Sequence, residues 1–253
     1  MYNLSSQLLE QYPFEVIAIQ KGRGTYICTT SEGGKIIIGS FRGSKGRAEA
    51  IEHVLLRLKE NGIEADEIIH TREGEILVQE VDETWYYARK YMEGRECETR
   101  SRDDVLAAVE ELAKLHLVLQ KVEDENLKIG GQDYAMEVFR HNRELKKVRN
   151  YIHGKHKKNE FEMIFMHNYE TFLKQALDVE HRLMKPNPGE TQGQSGKQSR
   201  EAAMYGICHG DFNQHNVLFT HGKIIITNFE QAHYDVLVGD LAHFLRKLME
   251  KHN

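Results

Sequence analysis

Cysteine is scarce in this chain of 253 residues, with only Cys28, Cys97 and Cys208 present. They lie far apart and show no CxxC spacing, which argues against both a disulfide framework and a zinc site and favours a reducing compartment. No apolar run approaches the ~20 residues needed to span a bilayer. The opening "MYNLSSQLLEQYPFEV" lacks the basic start and apolar stretch of a secretory signal. A cytoplasmic protein without a membrane partner is therefore expected. Positive charge is not in excess either, since 34 Lys/Arg stand against 39 Asp/Glu, a net charge of −5. That balance argues against nucleic acid as the main partner. No internal repeat is visible.

What is present is a soluble composition, 40% hydrophobic and 29% charged, in a length that suits one large domain or two lobes around a cleft. Residues 1–93 read mostly as strands: "FEVIAIQ", "TYICTT", "KIIIGSF", "GEILVQEV" and "TWYYARKYM", punctuated by "KGRG" and "EGG" turns. One helix interrupts them over Lys45 to Glu60, where Ala48, Ile51, Val54, Leu55 and Leu58 recur at three- and four-residue steps. Residues 94–253 read as helical. A helix capped by Ser101 comes first, then Tyr134 to Ile152, then Glu160 to Met184, then a polar loop over about 185–200, and finally "VGDLAHFLRKLMEKHN".

Between the loop and the last helix lies "HGDFNQHNVLFTHGKIIITNFE". Its arms "VLFT" and "KIII" flank His221-Gly222, a tight hairpin signal. Pairing Thr220 with Lys223 sets Asn216 opposite Thr227, with Asn228 next in line. Directly opposed residues sit about 5 Å apart, so Asn216 and Asn228 should meet at the open end of the hairpin, just past Asp211. An acid, an oxygen ligand five residues later and another across a hairpin is the layout of a phosphoryl-transfer site: the acid takes the acceptor's proton, and the later pair holds Mg²⁺ on the phosphates. The plainer alternative is that Asp211 and Asn216 only hydrogen-bond a tight loop.

With "LAKLH", "GREC" and "FRHNRELKKVRNYIHGK", this stretch resembles the spore-coat CotS branch of the aminoglycoside phosphotransferase family, over essentially the whole chain. The resemblance implies an α+β, bilobal, protein-kinase-like fold, with ATP between a small antiparallel-sheet lobe carrying one helix and a mainly helical lobe carrying the catalytic hairpin. It implies transfer of a phosphoryl group to a small hydroxylated acceptor such as an aminoglycoside, choline or homoserine, and a possible spore-coat protein partner. By position, Asp211 would be the base, His209 would shape the loop, and Asn216 and Asn228 would hold Mg²⁺. Asp240 would brace the loop from the last helix. Glu52 or Glu49 would pair with the ATP-binding lysine, and Glu93 to Arg95 would lie near the adenine-receiving hinge. Family members usually continue beyond the last helix here, so a shortened member or a fragment is expected.

Two departures follow. Gly39 stands where the family pattern has its strand lysine, and Asn228 where it has an acid. The pseudokinase alternative, a protein that holds nucleotide or a partner without transfer, rests on these two positions. Lys35 shares the phase of Gly39 but is displaced by roughly 13 Å. Lys21 and Arg23, in a turn expected over the phosphates, are the better substitutes. On the metal side, Glu230 and Asp235 are candidate replacement ligands.

Two other signals carry less. Eight Lys/Arg against one Glu between Arg140 and Lys158 read as a solvated helical face, with steering of an anionic ligand as the alternative. His209 and His215 match no zinc spacing.

Overall fold

The computed structural model describes residues 4–127, 134–184 and 205–251. The polar loop expected at about 185–200 lies outside these. The chain divides into two compact units, one of residues 1–129 with 200–253, the other of residues 130–199.

The first unit opens with α1 (Ser6–Glu10) and the strands β1 (Val16–Lys21), β2 (Thr25–Thr30) and β3 (Lys35–Phe41). After α2 (Lys45–Glu60) come β4 (Glu64–Ala65), β5 (Ile68–Ile69), β6 (Leu77–Gln79) and β7 (Trp85–Lys90). All of these strands except β4 build an antiparallel sheet in the order β1-β2-β3-β7-β5, with β6 also on β7. Alternation sorts its faces. Ile36, Ile38, Tyr86 and Ala88 pack on one side with Leu8 and Tyr12, so the short α1, which carries no strong sequence signal, covers that face. Ile37, Gly39, Tyr87 and Arg89 lie on the opposite face, with Ile37 paired to Arg89 and Gly39 to Tyr87.

The helices start where capping side chains allow. Ser44 accepts the Arg47 N–H at the head of α2, and Ser101 accepts that of Asp104 at the head of α3 (Arg102–Leu119). The apolar stripes of both helices enter one core with Val217, Ile226, Phe229 and Phe244. That core seats a second sheet, β4-β11-β10-β8, built from β8 (Arg95–Glu96), β10 (Val217–Thr220), β11 (Lys223–Ile226) and β4. A third, two-stranded sheet joins β9 (Tyr205–Cys208) to β12 (His233–Val236). Further on, α6 (Val238–Lys251) is the last described element.

The segment 64–69 is stitched to both larger sheets. Ala65 pairs in parallel with Ile226 of β11, while Ile68 pairs with Arg89 of β7. Asp66 falls between these two pairings.

The second unit contains α4 (Tyr134–His153) and α5 (Glu160–Met184). Asn142 donates to the Ala176 carbonyl, Arg149 lies over the Tyr169 ring, and Lys155 meets Glu162. These pairings run in opposite directions along the chain, so the helices are antiparallel. The basic run lies on α4 and continues into the turn after it. Among the described residues no helix is long and apolar enough to cross a membrane.

Candidate functional site

The loop His209–Asp211 leaves β9 and is held by buried groups. Asp240, in the first turn of α6, accepts the N–H groups of His209 (2.8 Å) and Gly210 (2.9 Å) and meets His116 Nε2 at 2.9 Å. Burial works to raise the Asp240 pKa, but the bond from His116, the nearby His209 ring and the two backbone N–H groups outweigh it and hold it below the usual carboxylate range. His209 is fully buried, and burial pushes its pKa down against the pull of Asp240. Its Nδ1 accepts the Asp211 N–H (3.2 Å) and its Nε2 meets the Thr227 carbonyl (2.9 Å). These partners assign a neutral ring protonated at Nε2. Gly210 has φ +80°, and a Cβ there would lie 2.1 Å from the Gln231 carbonyl oxygen, so only glycine fits.

This frame presents Asp211. One carboxylate oxygen accepts from Asn213 Nδ2 (2.9 Å) and the other from Asn216 Nδ2 (3.2 Å). His243 Nε2 stands 3.4 Å from the first of these oxygens. The hairpin register is the expected one: Thr220 pairs with Lys223 and Val217 with Ile226, and the Thr227 N–H donates to the Asn216 carbonyl at 2.9 Å. His221 and Gly222 both have positive φ, as a primed two-residue turn requires. Asn228 adopts the left-handed conformation, φ 72° and ψ 58°.

Asn216 and Asn228 line one cleft of about 260 Å³. Asp211 is linked to the lining residue Asn216 by the bond from its Nδ2. Ile27 and Ile37 of the first sheet and Leu218 of the second form apolar walls, and Tyr91, Met92 and Gly94 close one end. Arg23 closes the mouth. From the β1–β2 turn it reaches Glu96 (3.4 Å) and His215 Nδ1 (2.6 Å). The cleft thus offers apolar walls for a flat ring, and beyond them cations and amides for an anion.

The other expected residues fall as follows. Lys21 is exposed and Glu93 is exposed beside the hinge residues. Gly39 faces the cleft side of the sheet, where an added Cβ would touch Thr25 and Tyr87 at 3.4 Å. Glu52 pairs with His70 at 2.8 Å and Glu49 is exposed, so α2 brings no acid to the buried cation described next. Glu230 sits in a 3₁₀ turn, and burial raises its pKa despite Arg42, Arg89 and Arg47 nearby. Asp235 lies on β12 beside His233 (3.4 Å).

Two residues carry weight that the sequence does not mark. Arg89 is buried in the cleft wall, its Nη1 2.7 Å from Asp66 Oδ1. The second oxygen of Asp66 takes the Asn228 N–H. Asp66 follows a two-residue strand, and only its pairings to both sheets bring it here. Two neutral amides do not by themselves make a magnesium site, which normally includes one or two carboxylates. Among the described residues no group of three or more His, Cys, Asp or Glu could hold a metal.

An antiparallel sheet with its helix, a helical C-terminal region and an acid-bearing loop ahead of a hairpin define a kinase-like phosphotransferase fold. The chain belongs to the phosphotransferase enzyme family (APH), whose model matches residues 7–252. An aminoglycoside phosphotransferase structure from Alicyclobacillus acidocaldarius is similar over 99% of this chain and 73% of that one, with a TM-score of 0.81 and 16% identity. The amicoumacin kinase structure solved with AMP-PNP, Ca²⁺ and its antibiotic is similar over 98% of this chain and 70% of that one (TM-score 0.61, 14% identity). The AMP-bound spectinomycin phosphotransferase covers 96% of this chain and 77% of its own (TM-score 0.61, 16% identity). No curated protein matches.

Proposed function

We propose that this chain is an ATP-dependent phosphotransferase acting on a small hydroxyl-bearing acceptor, of the CotS type and linked to sporulation. The observation that carries it is the Asp211 carboxylate, held by Asn213 and by Asn216, the latter also lining a cleft that combines isoleucine and leucine side chains with Arg23 and Arg89. Residues 1–93 serve as the nucleotide-covering lobe and 94–253 as the acceptor-side lobe. Adenine enters between Ile27, Ile37 and Leu218 with its edge toward Met92, as suits a flat apolar ring. The nucleotides in the amicoumacin and spectinomycin kinase structures support this choice of ligand.

Asp211 takes the proton of the acceptor hydroxyl as its oxygen attacks the terminal phosphorus. The bond to the bridging oxygen breaks and ADP leaves. Positioning and charge stabilisation carry such reactions. No step is assigned to Mg²⁺, because the donor set does not fit it unaided. The test is ADP release with aminoglycosides, choline and homoserine as acceptors, using the chain and Asp211→Asn. The expected result is turnover with at least one acceptor, reduced about 100-fold or more in the variant, the usual range for a lost general base. Turnover that survives the substitution contradicts the assignment.

A second reading, nucleotide binding without transfer, is favoured by Asn228, whose amide brings no negative charge. It predicts nucleotide affinity that barely responds to Mg²⁺. It also predicts that Asn228→Asp gains about tenfold in affinity when Mg²⁺ is added, since a carboxylate restores the charge the ion needs. Calorimetric titration with and without the ion decides it: a wild-type protein already strongly Mg²⁺-dependent would refute this reading.

A further inference from the structure

We propose that Arg89 grips the phosphate end of the nucleotide, at a place where β3 presents only Gly39, and that Asp66 holds the guanidinium ready there. This rests on the nucleotide reading above and names the group that recognises the phosphates.

Ile37 pairs with Arg89 and Gly39 with Tyr87, so all four share the cleft-side face of the sheet. Arg89 lies diagonally across from Gly39, about 7 Å away on such a ladder. A long cationic side chain on β7 thus stands on the same face as the β3 position that presents no side chain.

Burial comes next. The Arg89 side chain is only 9% exposed, and its one ion-pair partner is Asp66, itself 3% exposed. Its Nε has no hydrogen-bond partner. An arginine has five donors and no acceptor, and a buried donor without a partner is costly. Arg89 borders both the cleft and a small cavity of about 10 Å³, which Asp66 and Glu230 also line. That cavity is near the size of one water.

The charge around it points the same way. Besides Arg89, polar residues lining the cleft are Asn216, Thr227 and Asn228, with Arg23 at the mouth. The one carboxylate among the described lining residues is Glu96, at the mouth, already engaged with Arg23 and His215. A guanidinium fork in such surroundings suits a phosphate geometrically and electrostatically. Asp66 contributes orientation: one oxygen fixes Arg89 and the other fixes the Asn228 backbone. Cation and left-handed asparagine are thereby set on a single carboxylate. Because α2 offers only apolar residues such as Ala48 and Ile51 to the small cavity, the ion pair is independent of that helix.

The test is calorimetric titration of the full chain with adenosine and with ADP, for wild type, Arg89→Gln and Arg89→Lys. ADP should bind wild type more tightly than adenosine. Arg89→Gln should lose about tenfold to a hundredfold for ADP, the worth of a charge-assisted hydrogen bond, while adenosine changes less than about threefold. Arg89→Lys should recover part of the loss. Equal losses for both ligands, or an unchanged ADP affinity, overturn the proposal. Wild type binding adenosine and ADP equally overturns it and leaves the nucleotide reading standing; wild type binding neither refutes both. Should Arg89→Gln fail to fold, the arginine Nε–H resonances of wild type decide, with the Arg89 signal assigned from the lysine variant. That signal should shift on adding pyrophosphate, and a signal that stays put overturns the proposal.

Discussion

Asp240 gathers two backbone N–H groups and one imidazole onto a carboxylate that is 3% exposed. Asp240→Asn keeps the shape but loses the charge and presents a donor to donors, so it should cost about 3 kcal/mol or more, the scale of breaking a buried charge network. Urea unfolding at neutral pH checks this. The pKa of Asp240 is lowered on folding, so its stabilisation is fully present above the unfolded value of about 3.9 and is lost as pH falls from there through the lower folded value. Wild type should therefore lose its margin over Asp240→Asn below about pH 4, and a margin independent of pH would contradict the charge assignment. Gly210→Ala places a methyl 2.1 Å from a carbonyl oxygen in a loop of positive φ. It should destabilise the chain by about 3 kcal/mol or more, as overpacking together with backbone strain does, and would register as a lowered urea midpoint.

At the scale of elements, legibility in the sequence followed local signal. The hairpin could be read to the residue because His221-Gly222 and four-residue arms fix a register, and the structure has that register. The helix Lys45–Glu60 could be read from its apolar stripe. By contrast β4 and β5 are two residues each, and nothing in "EADEII" announces strands. Their existence depends on partners 160 and 20 residues away, and Asp66 stayed hidden with them. Arg89 hid for another reason: its strand was read, but the partner that makes its burial tolerable was not. Two predictions belong here. Ser101→Ala removes the cap of α3 and should cost about 1 kcal/mol by chemical denaturation. Gly39→Lys meets only van der Waals contacts at its Cβ but adds a second cation near Arg89. ADP affinity should therefore stay within about threefold of wild type, and a tenfold gain would show that Arg89 does not serve the phosphates.

For the whole molecule, the segment 64–69 ties the N-terminal sheet to the β10–β11 hairpin, and the cleft lies where elements of both line it. The large-scale α+β arrangement was readable because strand-rich and helix-rich stretches separate along the chain. The acceptor was not, because nothing local in α4 or α5 specifies a ligand. Both phosphoryl transfer and phosphate recognition by Arg89 require the cleft to receive a nucleotide. The most direct measurement is thermal unfolding of the full chain across a titration with ADP and, in parallel, with inorganic phosphate. At a hundredfold excess over Kd, binding to the folded state stabilises by about 2.7 kcal/mol. For a chain of this size that is a rise in Tm of about 5–10 °C. A saturable rise of this size is expected with ADP and a much smaller one with phosphate alone. A Tm unmoved by millimolar ADP would contradict it.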